Sequence, residues 1–220
     1  PLNEGLLESV SLILPADSLL NPAFSSDASQ APGVAGGNVE ISQRLVDLIL
    51  STVFQEVACS QGTMNNVTFG NDRFSHYETL GGGSGARVGQ EGTSAVQVHM
   101  TNTAITDPEI LETHFPVRLV AFRRRIGSGG EGAWSGGDGI KREYLFEEET
   151  KLSLLTQSRV QAPQGISGGE PGVCGEQFLI RKDGKQEVLS SLEQAIAYPG
   201  DRLLIRTPGG GGAGEADLLA

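Results

Sequence analysis

The sequence predicts an α+β fold, with β-rich mixed sheets, glycine-rich loops and one long buried helix. Three observations lead there. Glycine occupies 31 of 220 positions, about twice the usual ~7% share. It falls in clusters between strand-like runs and follows no period, which excludes collagen. Only Val39 to about Val57 keeps helical spacing over several turns. The length suits one large domain or two small ones and allows a sizeable core. A helix-plus-strand part over 1–115 and a β-rich part over 116–220 are expected, joined as one continuous unit of a longer protein.

Taken in order, Ser9–Leu14 reads as a strand stopped by Pro15, and Asn21–Gly37 as a loop. Asn38 is the candidate N-cap of the helix. Ile41, Leu45, Leu48, Ile49, Thr52, Val53 and Glu56 follow its spacing, and Val46, Leu50 and Phe54 add a second apolar face. Such coverage predicts burial on more than one side, with Gln43, Arg44 and Asp47 on the wetter face. Strands are expected over Val67–Gly70, Arg73–Leu80, Ser94–Met100 and Val117–Ile126. Asp107-Pro108 starts a short helix that ends before Pro116. Gly139–Glu148 and Lys151–Thr156 read as a strand pair. Gln177–Arg181 and Lys185–Leu189 read as a hairpin with a two-residue turn at Asp183-Gly184. Arg202–Arg206 is the last strand, and Pro208 with four glycines ends the ordered pattern.

Net charge is −11, with 27 acidic against 16 basic residues. That disfavours nucleic acid and anionic membrane surfaces as partners, since both require a basic footprint. No apolar run reaches the ~20 residues of a membrane span, and no signal-peptide pattern is present, so a cytoplasmic protein is expected. A chain that starts at Pro1 reads as a processed, cut or split polypeptide. Cys59 and Cys174 lie far apart, outside any CxxC pair. Cys59 reads as a buried structural thiol, and a disulfide between the two stays open.

Chemistry concentrates around Glu78–Thr103. Glycines 81–83 could offer backbone N–H groups to an anion. Strand alternation would place His76 with Glu78 on one face, and His99, Thr101 and Thr103 together on one face. A plain glycine-rich hairpin is the competing reading. Ser60-Gln61-Gly62-Thr63-Met64-Asn65-Asn66 is either a self-bonded turn or a ligand-facing loop. Three segments match GxGxx(G/A), at Gly81, Gly127 and Gly209. None is followed by the helix that a dinucleotide site needs. GxxxxGK(S/T), GxSxG and paired-histidine metal motifs do not occur.

Taken together, several stretches resemble the hydantoinase B/5-oxoprolinase family. They are Gly36-Gly37-Asn38-Val39-Glu40-x-Ser42-Gln43-Arg44, the Ser60–Asn66 run, Tyr77-Glu78-Thr79-x-Gly81-Gly82-Gly83 and His99-Met100-Thr101-Asn102-Thr103. Gly127–Gly130, Trp134-x-Gly136-Gly137-Asp138-Gly139, Gly168-Gly169-x-Pro171-Gly172 and Thr207–Gly212 match in the same order. The resemblance implies the C-terminal portion of a B subunit or B region, related to the large subunit of acetone carboxylase. It further implies ATP-dependent opening of a cyclic amide, either 5-oxoproline or a hydantoin. The ATPase would be a hydantoinase A-like partner subunit or region. ATP and magnesium would then sit on that partner, and any divalent metal in upstream residues of the longer protein, leaving no cofactor or metal on this segment. Within that resemblance, Glu78 and His99 are the candidate proton carriers. Gln61, Asn65, Asn66, Thr79, Gly81, Gly82, Gly83, Arg87, Asn102 and Thr103 are the candidate substrate contacts. A carboxylase of the acetone carboxylase type and a non-catalytic assembly domain remain the alternatives.

Overall fold

A computed structural model describes residues 11–31, 34–54 and 57–216. Two compact units are present, Pro1–Val34 and Ala35–Ala220. Residues 11–31 of the first unit are turns, bends and irregular backbone. Asp17 has a left-handed φ of 53°, and the Asn21 N–H donates to the Ser18 carbonyl at 3.0 Å. Residues 11–14 are not a strand, because the described residues of this unit supply no ladder partner; Ser9 and Val10 lie outside the described residues.

The second unit contains two antiparallel sheets. In the first, β1 (Asn66–Gly70), β2 (Ser75–Thr79), β5 (Thr150–Leu155) and β8 (Leu192–Ala197) lie in the order β2-β1-β5-β8. In the second, β3 (Val117–Arg125), β4 (Gly139–Phe146), β6 (Glu176–Ile180), β7 (Gln186–Val188) and β9 (Arg202–Arg206) lie in the order β3-β4-β9-β6-β7. The α+β class is therefore as the sequence predicts. The first sheet takes strands from both sides of residue 115, so no structural boundary falls there.

Alternation along β1 and β5 directs one apolar row inward, with Val67 opposite Leu154 and Phe69 opposite Leu152. These residues join Ile140, Tyr144, Phe146, Leu179, Leu203 and Ile205 in one core. Phe69 meets Tyr144 and Phe146 edge-on, with ring centroids 5.5 and 5.6 Å apart, a favoured aromatic geometry. Contrary to the expected strand pair, β4 and β5 enter different sheets: β4 pairs with β3 and β9, β5 with β1 and β8. Each has an inward apolar row that a different layer covers. Strand β8 escapes sequence reading because its deepest inward residues are small alanines, while Leu192 and Ile196 face out.

The β6–β7 hairpin forms with a longer loop than expected. Arg181 N–H bonds the Lys185 carbonyl and Gly184 N–H the Arg181 carbonyl, both at 2.8 Å. Gly184 takes a φ of 91°. This is a three-residue loop ending in a left-handed glycine. The short helix α2 (Pro108–His114) starts as its sequence signals, with the Asp107 carboxylate accepting from the Glu109 and Ile110 N–H groups.

The glycine-rich tail, expected to mark the end of order, is instead a buried extended segment. Gly209 to Gly212 are all buried. Gly210 N–H donates to Gly137 at 2.9 Å, while its carbonyl accepts from Gly130 at 2.8 Å; Gly211 bonds Cys59 and Ala86 in the same two ways, at 2.9 Å each. A Cβ on Gly210 would stand 2.0 Å from the Ser84 oxygen, and one on Gly211 2.2 Å from that of Gln164. Without side chains, backbones from several distant loops approach this one segment to hydrogen-bond distance.

The long helix α1 (Val34–Ile49) continues as a π-helical turn over Leu50–Phe54. It starts before Asn38, so Asn38 is not its cap. Gly36 lies in the first turn, where a Cβ would stand 2.9 Å from Leu155 Cδ2; close packing on β5 outweighs glycine's poor helix propensity. The Ser51 and Thr52 hydroxyls both bond the Leu48 carbonyl, and such competition with the helical ladder favours loosened turns. Of the expected helical residues beyond Phe54, Gln55 and Glu56 lie outside the described residues; Val57 is already in an isolated bridge to Arg87.

Candidate functional site

Helix α1 is inverted relative to its predicted faces. Glu40, Gln43 and Asp47 are buried, while Leu48 and Val53 are 56% and 68% exposed. The reason lies in the loop beneath, 58–66, whose backbone donors need acceptors away from water. Glu40 Oε1 accepts from Met64 N at 3.0 Å, and Asp47 Oδ1 accepts from Ser60 N at 2.8 Å. The spacing of 40, 43 and 47 puts all three on one helix face. That spacing is the sequence signal of a buried polar face, masked because charged residues ordinarily face solvent.

Asp47 also meets His99: Oδ1 lies 2.8 Å from His99 Nε2, with both side chains largely buried. Ser94–Met100 is not the expected strand. It bends, pairs only at the Gly82–Val96 bridge, and places Ala95 and His99 at left-handed φ values of 55° and 53°. For a non-glycine residue that conformation is sparsely populated, and it turns His99 toward α1. His99, Thr101 and Thr103 therefore do not line a common strand face. The Thr101 hydroxyl accepts from Gln43 Nε2, and the Thr103 hydroxyl meets that of Thr79.

Four buried atoms of this cluster have no hydrogen-bond partner among the described residues: Glu40 Oε2, Gln43 Oε1, Asp47 Oδ2 and Gln61 Nε2. Burial pushes the Glu40 carboxyl above its ordinary range, outweighing hydrogen bonds from Met64, Thr63 and Asn66 and the nearby Arg159. Two hollows flank the cluster. One, of about 300 Å³, is lined by Ser60, Ser84, Arg87, Glu91, Thr93 and His99 among others. The second, of about 420 Å³, is lined by Arg44, Asp47, Cys59 and Gln164 among others. The Asp47–His99 pair thus presents its acid to one hollow and its imidazole to the other. A larger cavity of about 750 Å³ lies against β1, β5 and β8. Its guanidinium, Arg181, is already bonded to Glu187 and Asp201, and it contains no acid–imidazole pair, so it is not the candidate site.

Several expected site residues prove to be fully engaged in the fold. Glu78 is buried with Arg142, which is entirely enclosed; their closest approach is 3.0 Å. The Tyr144 hydroxyl donates to Glu78 Oε1, and Thr106 N–H lies 3.4 Å from Oε2. Burial pushes the Glu78 carboxyl up, yet His76, Arg142 and Tyr144 together outweigh it and hold the pKa below the ordinary range. The geometry gives Glu78 a structural ion pair, outside the lining of the 300 Å³ hollow. Asn65 donates to Gln61 and Leu80 and accepts from Arg159, and Asn66 donates to Glu40 and Leu155 and accepts from Tyr77. Thr79 is bonded to Gln97 and Thr103. The N–H groups of Gly82 and Gly83 are bonded to Val96 and Pro208 carbonyls, so Gly81–Gly83 do not form an open anion nest. Asn102 is exposed and outside the lining of the 300 Å³ hollow. Of the predicted residues, only His99 and Arg87 line that hollow.

Both cysteines are free thiols. Burial, with the Asp47 carboxylate close by, pushes the Cys59 thiol up, which suits the structural role expected of it. No group of three or more His, Cys, Asp or Glu among the described residues is placed to hold a metal ion. No described helix is long and apolar enough to cross a membrane.

Fold and site together define an antiparallel β domain, framed by close-packed glycine backbones, that carries a buried acid–imidazole pair beside a small hollow. The chain belongs to the hydantoinase B/oxoprolinase family, whose model matches residues 1–216. It is 48% identical over 215 residues to 5-oxoprolinase 1 of Arabidopsis thaliana, covering 98% of this chain and 16% of that protein. Its fold is like that of an ATP-dependent caprolactamase from Pseudomonas jessenii, at a TM-score of 0.61 and 22% identity, over 77% of this chain and 32% of that one. A nucleotide-free acetone carboxylase gives the same TM-score at 16% identity, over 73% and 27% of the respective chains. The chain spans 16–17% of the length of the first curated relatives it matches.

Proposed function

We propose that this chain forms part of an ATP-dependent cyclic amidohydrolase of the 5-oxoprolinase or hydantoinase type, and that His99, held by Asp47, moves protons during ring opening. The observation that carries the reading is the 2.8 Å contact between His99 and Asp47 at the wall of the 300 Å³ hollow. Family membership supports the reaction class. An ATPase like hydantoinase A, as partner subunit or region, would activate the amide oxygen, in line with the lack of a nucleotide motif here. The cytoplasm, where ATP is abundant, suits such a reaction.

The local chemistry follows from the tautomer. With Nε2 against a carboxylate, the neutral ring carries its proton on Nε2 and leaves Nδ1 as the basic nitrogen. Nδ1 accepts a proton from water as its oxygen bonds the activated amide carbon. The imidazolium passes that proton to the ring nitrogen, the ring C–N bond breaks as the adduct's hydroxyl proton follows it, and the acyl phosphate left on the carbon is cleaved by a second water to carboxylate and inorganic phosphate. Asp47 orients the imidazole and stabilises its cationic form throughout.

The test uses the full-length protein with its ATPase partner or region. His99→Gln is expected to lower the rate of ATP-dependent ring opening about 10²- to 10⁴-fold, the usual contribution of a positioned acid–base group. Turnover by that variant within threefold of the parent would exclude His99 as the proton carrier. Bicarbonate-dependent consumption of a ketone, with no lactam opened, would move the activity to the carboxylase alternative.

A further inference from the structure

We infer that a separate hollow, between α1 and the turn that follows β5, binds a tetrahedral oxyanion of the phosphate class through Arg44, Ser158 and Arg159. This hollow has a volume of about 310 Å³, at the lower end of small-ligand sites. It shares no lining residue with the hollow beside His99, and the inference stands apart from the proton transfer proposed there.

The first observation is its charge. The chain carries a net charge of −11, yet this lining contains two guanidiniums, Arg44 and Arg159, and no carboxylate. Both arginines are half-buried. Among the described residues neither has a carboxylate within ion-pair distance, whereas Arg125, Arg142 and Arg181 each do. The nearest acids on α1 are engaged elsewhere: Asp47 with Ser60 N–H and His99, and Glu40 with Met64 N–H and Asn66. Arg44 Nε donates to Gln157 Oε1 at 3.2 Å. That bond fixes the guanidinium plane and leaves both Nη groups as donors. Arg159 donates to the Gln157 carbonyl at 2.6 Å, to Asn65 Oδ1 at 2.9 Å and to Gln177 Oε1 at 3.0 and 3.2 Å. These acceptors are all neutral. Burial pulls the Arg159 pKa down to about 10, outweighing the Glu40 carboxylate, and an anion bound alongside would offset that penalty.

The second observation is a donor without a partner. Ser158 lines the same hollow and is only 3% exposed. Its hydroxyl has no hydrogen-bond partner among the described residues, a state that buried polar groups rarely keep. Its backbone is held at a left-handed φ of 54°, a conformation that costs energy in a non-glycine residue. Ser158 Oγ and Arg44 Nη1 converge over Gly62, where a Cβ would stand 3.3 Å from each. Glycine at that position leaves the space between the two donors open. Donors arriving from α1 on one side and from the 157–159 turn on the other suit an anion with oxygens in several directions, as in phosphate. A planar carboxylate, with two oxygens, would satisfy fewer of them.

The experiment titrates inorganic phosphate into the full-length protein by calorimetry, with chloride replaced so that ionic strength stays constant. Saturable binding is expected. Ser158→Ala should weaken it about tenfold, the effect of one hydrogen bond to a charged group, and Arg44→Gln about tenfold to a hundredfold. Arg44→Lys should recover part of that loss. Arg87→Gln, at the other hollow, should leave the affinity within about threefold. Ser158→Ala removes a single atom, so it reads the site even if Arg44→Gln loosens α1. Tighter binding of glycerol 3-phosphate would support a phosphate ester as the ligand, and tighter binding of inorganic phosphate the free ion. No saturable binding by the parent, equal binding of acetate, or an affinity unchanged in Ser158→Ala and Arg44→Gln would overturn the site.

Discussion

Replacing Glu78 by glutamine tests whether that residue holds the fold together. The substitution keeps the size and removes the charge opposite Arg142. That guanidinium is fully enclosed and makes its charge pair with Glu78, at 3.0 and 3.3 Å. Its other partners are neutral: the Tyr144 hydroxyl at 2.8 Å and the Thr106 carbonyl at 3.2 Å. Breaking one side of a buried pair costs about 3–5 kcal/mol, because the remaining charge stays desolvated. At 1.4 kcal/mol per decade, core amides of β1, β2 and β4 should exchange hydrogen roughly two to four decades faster, if they open through the global or sub-global unit. Hydrogen exchange followed by mass spectrometry on the full-length protein reads this directly. The double variant Glu78→Leu with Arg142→Met should recover most of the protection, since removing both charges also removes their desolvation. Exchange within tenfold of the parent in Glu78→Gln would refute the buried pair as a support of the core.

The pH dependence follows with a definite sign. Because the Glu78 pKa is lowered in the fold, its contribution is present above the unfolded value near ~4.3 and is lost as pH falls through the folded value. Acid unfolding monitored by near-ultraviolet circular dichroism should therefore be less steep below pH ~4 in Glu78→Gln, and parallel curves would contradict the linkage. The glycine frame gives a paired test. Gly210→Ala places a Cβ 2.0 Å from the Ser84 oxygen, whereas at Gly89 nothing lies within 4 Å. Gly210→Ala should disrupt the frame and expose loops 128–138 and 165–175 to protease. Gly89→Ala should cost only about 1 kcal/mol for its positive φ and leave proteolysis unchanged; equal sensitivity of both variants would argue against the close-packed tail.

The legible parts of this chain were those governed by local rules. Asp107-Pro108 starts α2 because the carboxylate and the ring suit a first turn in any context. The strands β1, β4, β5 and β9 follow from apolar, β-leaning runs between turn residues. The glycine clusters foretold the loops. His99 and Arg87, which the family resemblance offers as a proton carrier and a substrate contact, both line the hollow of about 300 Å³. Tertiary structure decided which face of α1 turns inward, because loop 58–66 needed acceptors and Glu40 and Asp47 supplied them. It also decided that Glu78 would pair with Arg142, 64 residues away, and that Gly209 to Gly212 would run through a buried frame. Local pattern reports how a residue relates to its neighbours in the chain. The partners that satisfy a buried charge or an unpaired N–H are chosen across the fold, where the distance between two groups bears no relation to their separation in sequence.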